Sequence, residues 1–205
     1  MASRRQEILD AALALADEKG LDAVSMRAVA ERTGVTPMAL YPYVGSKAAL
    51  LDGMVGRLLD ELVPEDTGPD WRRLRALAHS ARALVHRHPW AALLLFTRPA
   101  VAPEAVVIVD RIYTALLDAG VPGEDVPRLE RMVSTLVIGY AASEVGGRFG
   151  PGELDPRARR GQLPGGALPG HAALAAWLDR PVDWDAEFEA DLDDLIRLVE
   201  GIGGA

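Results

Sequence analysis

The 205-residue chain contains no cysteine, which removes disulfides, thiolate metal sites and a cysteine nucleophile from consideration. It has no apolar run approaching 18 residues, so no membrane-spanning helix is predicted. The opening segment MASRRQEILDAA carries acidic residues in an amphipathic pattern, unlike a secretory signal, and predicts a cytoplasmic protein with no membrane partner. Catalytic signatures are missing as well. No glycine-rich segment contains GK[ST], no strand precedes GGRFGPG, and no Ser, His and Asp arrangement stands out, so neither an enzyme nor a cofactor is expected. His79 and His86 are seven residues apart and share a helical face, but no acid stands three or four residues after either, so no metal is expected there. Strand-like alternation and internal repeats are absent, and the chain reads as all-α.

Cations are in deficit too, with 22 Lys and Arg against 30 Asp and Glu and a net charge of −8. That balance disfavours a nucleic-acid partner unless the basic residues are concentrated. Residues 1–62 hold seven cations against nine acids, so most of the excess acid lies beyond them. Between residues 25 and 48 the balance reverses, with Arg27, Arg32 and Lys47 against Glu31 alone, and Arg4 and Arg5 could extend this into a basic arm. The hydrophobic fraction of 49% and a mean hydropathy of +0.08 are those of a globular protein, long enough to bury a core.

What the sequence does contain is a sharply punctuated stretch, SMRAVAERTGVTPMALYPYVGSKAALL, at residues 25–51. Ser25 reads as the N-cap of a short helix whose apolar positions Met26, Val29 and Ala30 recur at i, i+3 and i+4, leaving Arg27 and Arg32 to point outward. Gly34 ends it. Thr36 followed by Pro37 is a cap and a first-turn proline, starting a second helix that runs to about Tyr43. Two such helices joined by a glycine turn make a helix-turn-helix, and Ser46 and Lys47 open a further helix whose N-terminal amides suit a phosphate oxygen.

The pattern GVxxxxLYxYxxxKxxLL, formed by Gly34, Val35, Leu40, Tyr41, Tyr43, Lys47, Leu50 and Leu51 behind one amphipathic helix, resembles the DNA-binding domain of the TetR family of bacterial transcriptional repressors. HPWAALLL at 88–95 and GYAASE at 139–144 resemble, more faintly, the tetracycline-repressor type of C-terminal domain. The resemblance implies two domains: residues 1–62 for a three-helix DNA-binding head and 63–205 for helical effector binding and dimerisation. Its implied partners are double-stranded operator DNA, bound as an inverted repeat by a homodimer, and a small, largely apolar effector. Tyr41, Tyr43 and Lys47 match the family's phosphate-contacting positions, although the Tyr41 ring could instead pack in the head's core. Thr36, Pro37 and Met38, with Ala39, begin the helix that would enter the major groove. These offer few hydrogen-bond readers, so Arg27 either reads a guanine or contacts a phosphate. Pro42 departs from many relatives and removes a backbone donor near the helix end. A helical adaptor without a DNA target is the remaining class, and a gel shift separates the two.

Beyond the head, VPEDTGPD reads as a linker, followed by helices at about 71–87, 90–96, 103–119 and 126–147. Residues 146–170, rich in Gly, Pro and Arg, read as a flexible loop, and short and long helices at 171–178 and 184–202 complete the pattern. The effector pocket is expected among apolar bulk with polar handles: Trp90, Phe96, Tyr113, Met132, Gly139 and Tyr140, with His79, Arg82, His86 and Thr135. Arg82 and Glu144 either orient a polar end of the effector or pair with each other. The dimer surface is expected from small residues of 126–147, including Ser134, Gly139, Ala141 and Gly146, and from the stripe Phe188, Leu192, Leu195, Ile196 and Val199.

Overall fold

The computed structural model describes residues 3–62, 71–98, 103–149, 168–178 and 180–203, and among them eleven α-helices and one 3₁₀ turn, with no strand. The first four helices are α1 (Arg4–Lys19), α2 (Met26–Arg32), α3 (Pro37–Val44) and α4 (Lys47–Asp60). Their starts are set by local chemistry. Ser3 and Gln6 form a reciprocal capping box on α1, while the hydroxyls of Ser25 and Ser46 accept from the amides of Ala28 and Ala49, each at 3.1 Å. Gly34 takes a φ of +68° between α2 and α3, a backbone state that other residues adopt only with strain, and so turns the chain sharply there. Pro42 does not break α3, which continues to Val44.

The head closes on Ile8, Leu9 and Ala12 of α1, Val29 and Ala30 of α2, Leu40 of α3, and Leu50 and Met54 of α4, all at most 1% exposed. Fully burying each large aliphatic side chain here stabilises the fold by about 1.5–3 kcal/mol before chain entropy is counted. Gly53 permits the crossing of α4 over α1, since a Cβ there would stand 2.7 Å from the Leu9 side chain.

The body consists of α5 (Trp71–Arg87), α6 (Ala91–Thr97), α7 (Pro103–Asp118), α8 (Val126–Val145), the short α9 (Pro169–Ala173) and α10 (Ala175–Leu178), and α11 (Trp184–Gly203). Thus the segment expected as one helix at 171–178 is two short ones. Residues 146–149 are turn rather than free loop, and Phe149 stacks on Trp184 with ring centroids 4.7 Å apart; the rest of the expected loop to 167 lies outside the described residues. α8 is central, packing against α5, α6, α7 and α11. The expected dimer stripe of α11 needs correction. Phe188, Leu192, Leu195 and Val199 are buried inside the chain, in one core with Leu74 and Ala78 of α5 and Val133 of α8. Ala141 is likewise buried, whereas Gly139 and Ser143 are half-buried and Gly146, just past the end of α8, is exposed. No described helix is long and apolar enough to cross a membrane.

Head and body interlock. Leu94 of α6 is buried in the head's core, while Leu58 and Leu62 at the end of α4 are buried in the body's. Polar contacts reinforce the seam: one oxygen of Asp17 accepts from Trp90 Nε1 and stands 2.6 Å from His88 Nδ1, and Arg87 of α5 donates to Glu61 just past α4.

Candidate functional site

One face of the head is studded with side chains that its core does not use. Met38 is 75% exposed at the start of α3, and Tyr41 and Tyr43 keep nearly half their surface in solvent although both rings are large. Tyr41 is therefore not the core ring that its chemistry would have allowed. Thr36 occupies the N-cap position with extended backbone, yet its hydroxyl makes no cap bond and stays available. Pro37, the first residue of α3, is exposed beside it. Among the described residues no carboxylate pairs with Arg27 or Lys47, both exposed. Arg32, expected to reach outward, instead lies against α1, where two of its nitrogens donate to Glu18 at 2.7 and 2.6 Å. That bond holds the Glu18 carboxyl below its ordinary range. Of the three cations between residues 25 and 48, Arg27 on α2 and Lys47 at the first turn of α4 thus stay unpaired among the described residues, flanking α3, a placement suited to phosphates on either side of a groove-bound helix.

A second feature lies inside the body. A cavity of about 180 Å³ is enclosed by α4, α5, α6, α7 and α8. The latter half of α4 supplies Val55, Leu59 and nearby Leu62 to one wall; Ile112 of α7 and Val133 and Val137 of α8 supply others. Among the described residues its lining is mostly aliphatic, with no aromatic ring, and three polar side chains reach it: Arg98, Glu130 and Ser134. Arg98, just past the end of α6, donates through Nε to Asp52 at 2.8 Å and through a terminal nitrogen to the Ala48 carbonyl at 3.0 Å. Both acceptors are on the first two turns of α4, Ala48 next to Lys47 and Asp52 five residues after it. Ser134 donates to Glu130 at 2.6 Å.

None of the ten residues expected to line the pocket lines this cavity. His79, Arg82 and His86 lie on the opposite side of α5, in a shallow open groove with Asp185. Arg82 makes two bonds to Glu144, at 2.8 and 2.5 Å, and a third to Asp185 at 2.6 Å, while its guanidinium covers Phe188 at 4.8 Å. Those bonds hold the Arg82 proton more firmly than in water. Burial pushes the Glu144 carboxyl up, but the bonds from Arg82 and His86 outweigh it and leave the group below its ordinary value. Of the two roles open to this pair, mutual pairing is the one the structure has. Tyr140 packs between Phe149 and Phe188 and donates to the Trp184 carbonyl at 2.8 Å; burial, chiefly, pushes its phenol up to about 12.

The others scatter. Trp90 serves the seam through Asp17, Phe96 is 58% exposed on α6, Tyr113 and Met132 are half-buried at the edge of the core, and Thr135 is exposed. A Cβ on Gly139 would meet nothing within 4 Å, so a large residue there would project outward and fill no cavity. The histidines do find carboxylates, from other helices: His79 meets Glu189 at 2.7 Å and His86 meets Glu144 at 3.0 Å. Sequence reasoning missed Arg98, Asp52 and Glu130, and it expected Ser134 on the dimer surface, whereas the structure places it at the cavity. A signal for one of them exists, because Glu130 interrupts the apolar stripe Val126, Leu129, Val133, Val137 that α8 turns toward the core.

Residues 8–54 match the family described as bacterial regulatory proteins, tetR family, and residues 63–202 match the tetracyclin repressor-like C-terminal domain. A helix-turn-helix-type transcriptional regulator of Saccharopolyspora erythraea is 34% identical over 142 residues, which are 68% of this chain and 60% of that protein. The transcriptional repressor DrrR1 of Streptomyces coeruleorubidus is 34% identical over 141 residues, 67% of this chain and 52% of its own length. The chain therefore spans about half to three-fifths of these relatives, which are named as regulators and not as enzymes. Apo ActR of Streptomyces coelicolor has the same fold, with a TM-score of 0.85 and 26% identity over 100% of this chain and 98% of ActR. ActR in complex with (S)-DNPA gives a TM-score of 0.82 and 25% identity over 98% of each chain. With one family match on the helix-turn-helix and a second over more than half of the sequence, the chain belongs to the TetR family of bacterial regulatory proteins.

Proposed function

We propose that this protein is an effector-responsive transcriptional repressor: a homodimer binds an inverted-repeat operator through α2, α3 and the start of α4, and a small, largely apolar effector in the cavity releases it. The carrying observation is that α4 belongs to both sites. Its first residue is the unpaired Lys47, and its later turns supply Val55 and Leu59 to the cavity wall. Arg98 adds a polar link, touching the cavity while bonded to Asp52 and Ala48. An effector that displaces Arg98 or pushes on Leu59 tilts α4 and so moves the head. In the dimer the two α3 helices sit about 34–36 Å apart, one turn of DNA, when bound. The ligand complex of ActR supports an effector role for this type of body.

Lys47→Ala tests the DNA half of the reading. Removing one phosphate contact lowers operator affinity for all sequences and reduces the slope of log affinity against log salt by about 1. Gel shifts and fluorescence titrations with the DNA upstream of the protein's own coding region supply both numbers. Unchanged affinity and slope would remove Lys47 from the interface.

A further inference from the structure

The cavity's polar side chains are not equivalent. Arg98 is satisfied: Asp52 neutralises its charge and the Ala48 carbonyl takes another donor. Glu130 is not. Its carboxylate can accept several hydrogen bonds, yet it receives one, from the Ser134 hydroxyl, and among the described residues no cation pairs with it. It stands half-buried in the stripe of α8 where Leu129, Val133 and Val137 are apolar, so an aliphatic residue would pack there without removing an ionised group from water. An anionic effector gains nothing from Glu130 and has to break the Arg98–Asp52 pair to find a cation. A cationic effector finds an open acceptor at once.

The walls define the rest of the molecule. Among the described residues no aromatic ring lines the cavity, so they offer neither a stacking face for a flat polycycle nor a cation–π platform. A lipophilic cation entering here depends on the carboxylate for its charge and on aliphatic contact for its body. A cavity of about 150 Å³ accommodates benzene, so the roughly 180 Å³ present suits one saturated ring with a short arm.

We infer that the effector is an aliphatic or alicyclic amine whose ammonium group is bound by Glu130, with the Ser134 hydroxyl holding the carboxylate toward the cavity. This rests on the reading of the cavity as the effector site, and the test separates the two. Cyclohexylmethylamine, cyclohexylmethanol and cyclohexanecarboxylic acid, equal in ring and arm, are titrated calorimetrically into the full-length protein and into Glu130→Gln and Ala81→Leu. Glu130→Gln keeps the acceptor for Ser134, and Ala81→Leu fills space at the cavity wall. Circular dichroism confirms that both variants fold.

The expected result is that the wild type binds the amine at least about tenfold more tightly than the alcohol, as a charge-assisted bond predicts, and the acid least tightly. Glu130→Gln abolishes the amine's advantage and leaves alcohol binding within about twofold, while Ala81→Leu weakens both. Should the amine's advantage be missing in the wild type or survive in Glu130→Gln, while Ala81→Leu still weakens binding, the cavity reading stands and the amine inference is wrong. Binding indifferent to Ala81→Leu, or no binding by any of the three compounds, overturns the cavity reading and the inference with it.

Discussion

Head and body place the residues proposed for their two roles on opposite sides of the solvent boundary. In the head, Arg27, Met38, Tyr41, Tyr43 and Lys47 are exposed around a core that closes without them. In the body, the cavity is a gap in the core itself, walled by residues such as Leu74, Leu77 and Val133 that also hold the helices together. The difference teaches how each can change. A DNA contact can be exchanged with little effect on folding, whereas any change in the cavity alters packing and response together.

The largest test of this contrast pairs Phe188→Ala with Met38→Ala. Phe188 is fully buried, its ring meeting Tyr140 and His79 and lying beneath the Arg82 guanidinium, and its loss should destabilise the protein by about 3–5 kcal/mol. Met38 touches no core, and its loss should stay within about 0.5 kcal/mol while changing operator affinity. Urea unfolding monitored by helical circular dichroism gives both. Comparable losses in the two variants would erase the distinction between an exposed working surface and a structural one.

Glu144→Gln comes next, because this carboxylate, with 8% of its side chain exposed, holds α8 to α5 through Arg82. The expected cost at pH 7 is about 2–3 kcal/mol, as a partly buried guanidinium loses one of its two carboxylate partners. Its pH dependence has a definite sign. Glu144 titrates lower in the folded protein than its ordinary 4.5, so its stabilisation is fully present above that value and disappears as pH falls through the folded value. The stability gap between wild type and variant should therefore shrink once pH falls below that ordinary value. A gap that persisted into acid would mean that the side chain acts by shape rather than by charge.

The same contrast explains what the sequence reveals. Ser25, Gly34, Ser46 and the Thr36-Pro37 step act within three or four residues of themselves, so helix starts and the turn between α2 and α3 can be read directly. Apolar periodicity likewise locates α5, α7 and α8. It does not say which neighbour an apolar face will meet, and so the α11 stripe, apolar enough for a dimer, is consumed by α5 and α8 within the chain. The residues expected in the pocket differ from those that line the cavity for a related reason. Aromatic and histidine side chains signal binding by their chemistry, but here they fill the α5–α8–α11 side and the seam, and the opposite side is left lined by aliphatic residues that look like ordinary core. Arg32 and Glu18, fourteen residues apart, show the limit inside the head as well.

The smallest expected effect probes the seam, where the contrast breaks down. Arg98 and Asp52 are each partly exposed, with 24% and 31% of their side chains in solvent, so the pair should contribute less than about 1 kcal/mol to stability. Its weight lies in position, since it joins the end of α6 to the helix that begins at Lys47. Arg98→Ala, Asp52→Ala and the double variant form a cycle read by two measurements, urea stability and operator affinity without effector. If the pair sets the angle of α4, each single variant shifts operator affinity by a similar factor and the double variant shifts it no further, although stability scarcely moves. Additive shifts in affinity would mean that Arg98 and Asp52 act separately, leaving the apolar contacts of Leu59 and Leu94 as the connection between cavity and head.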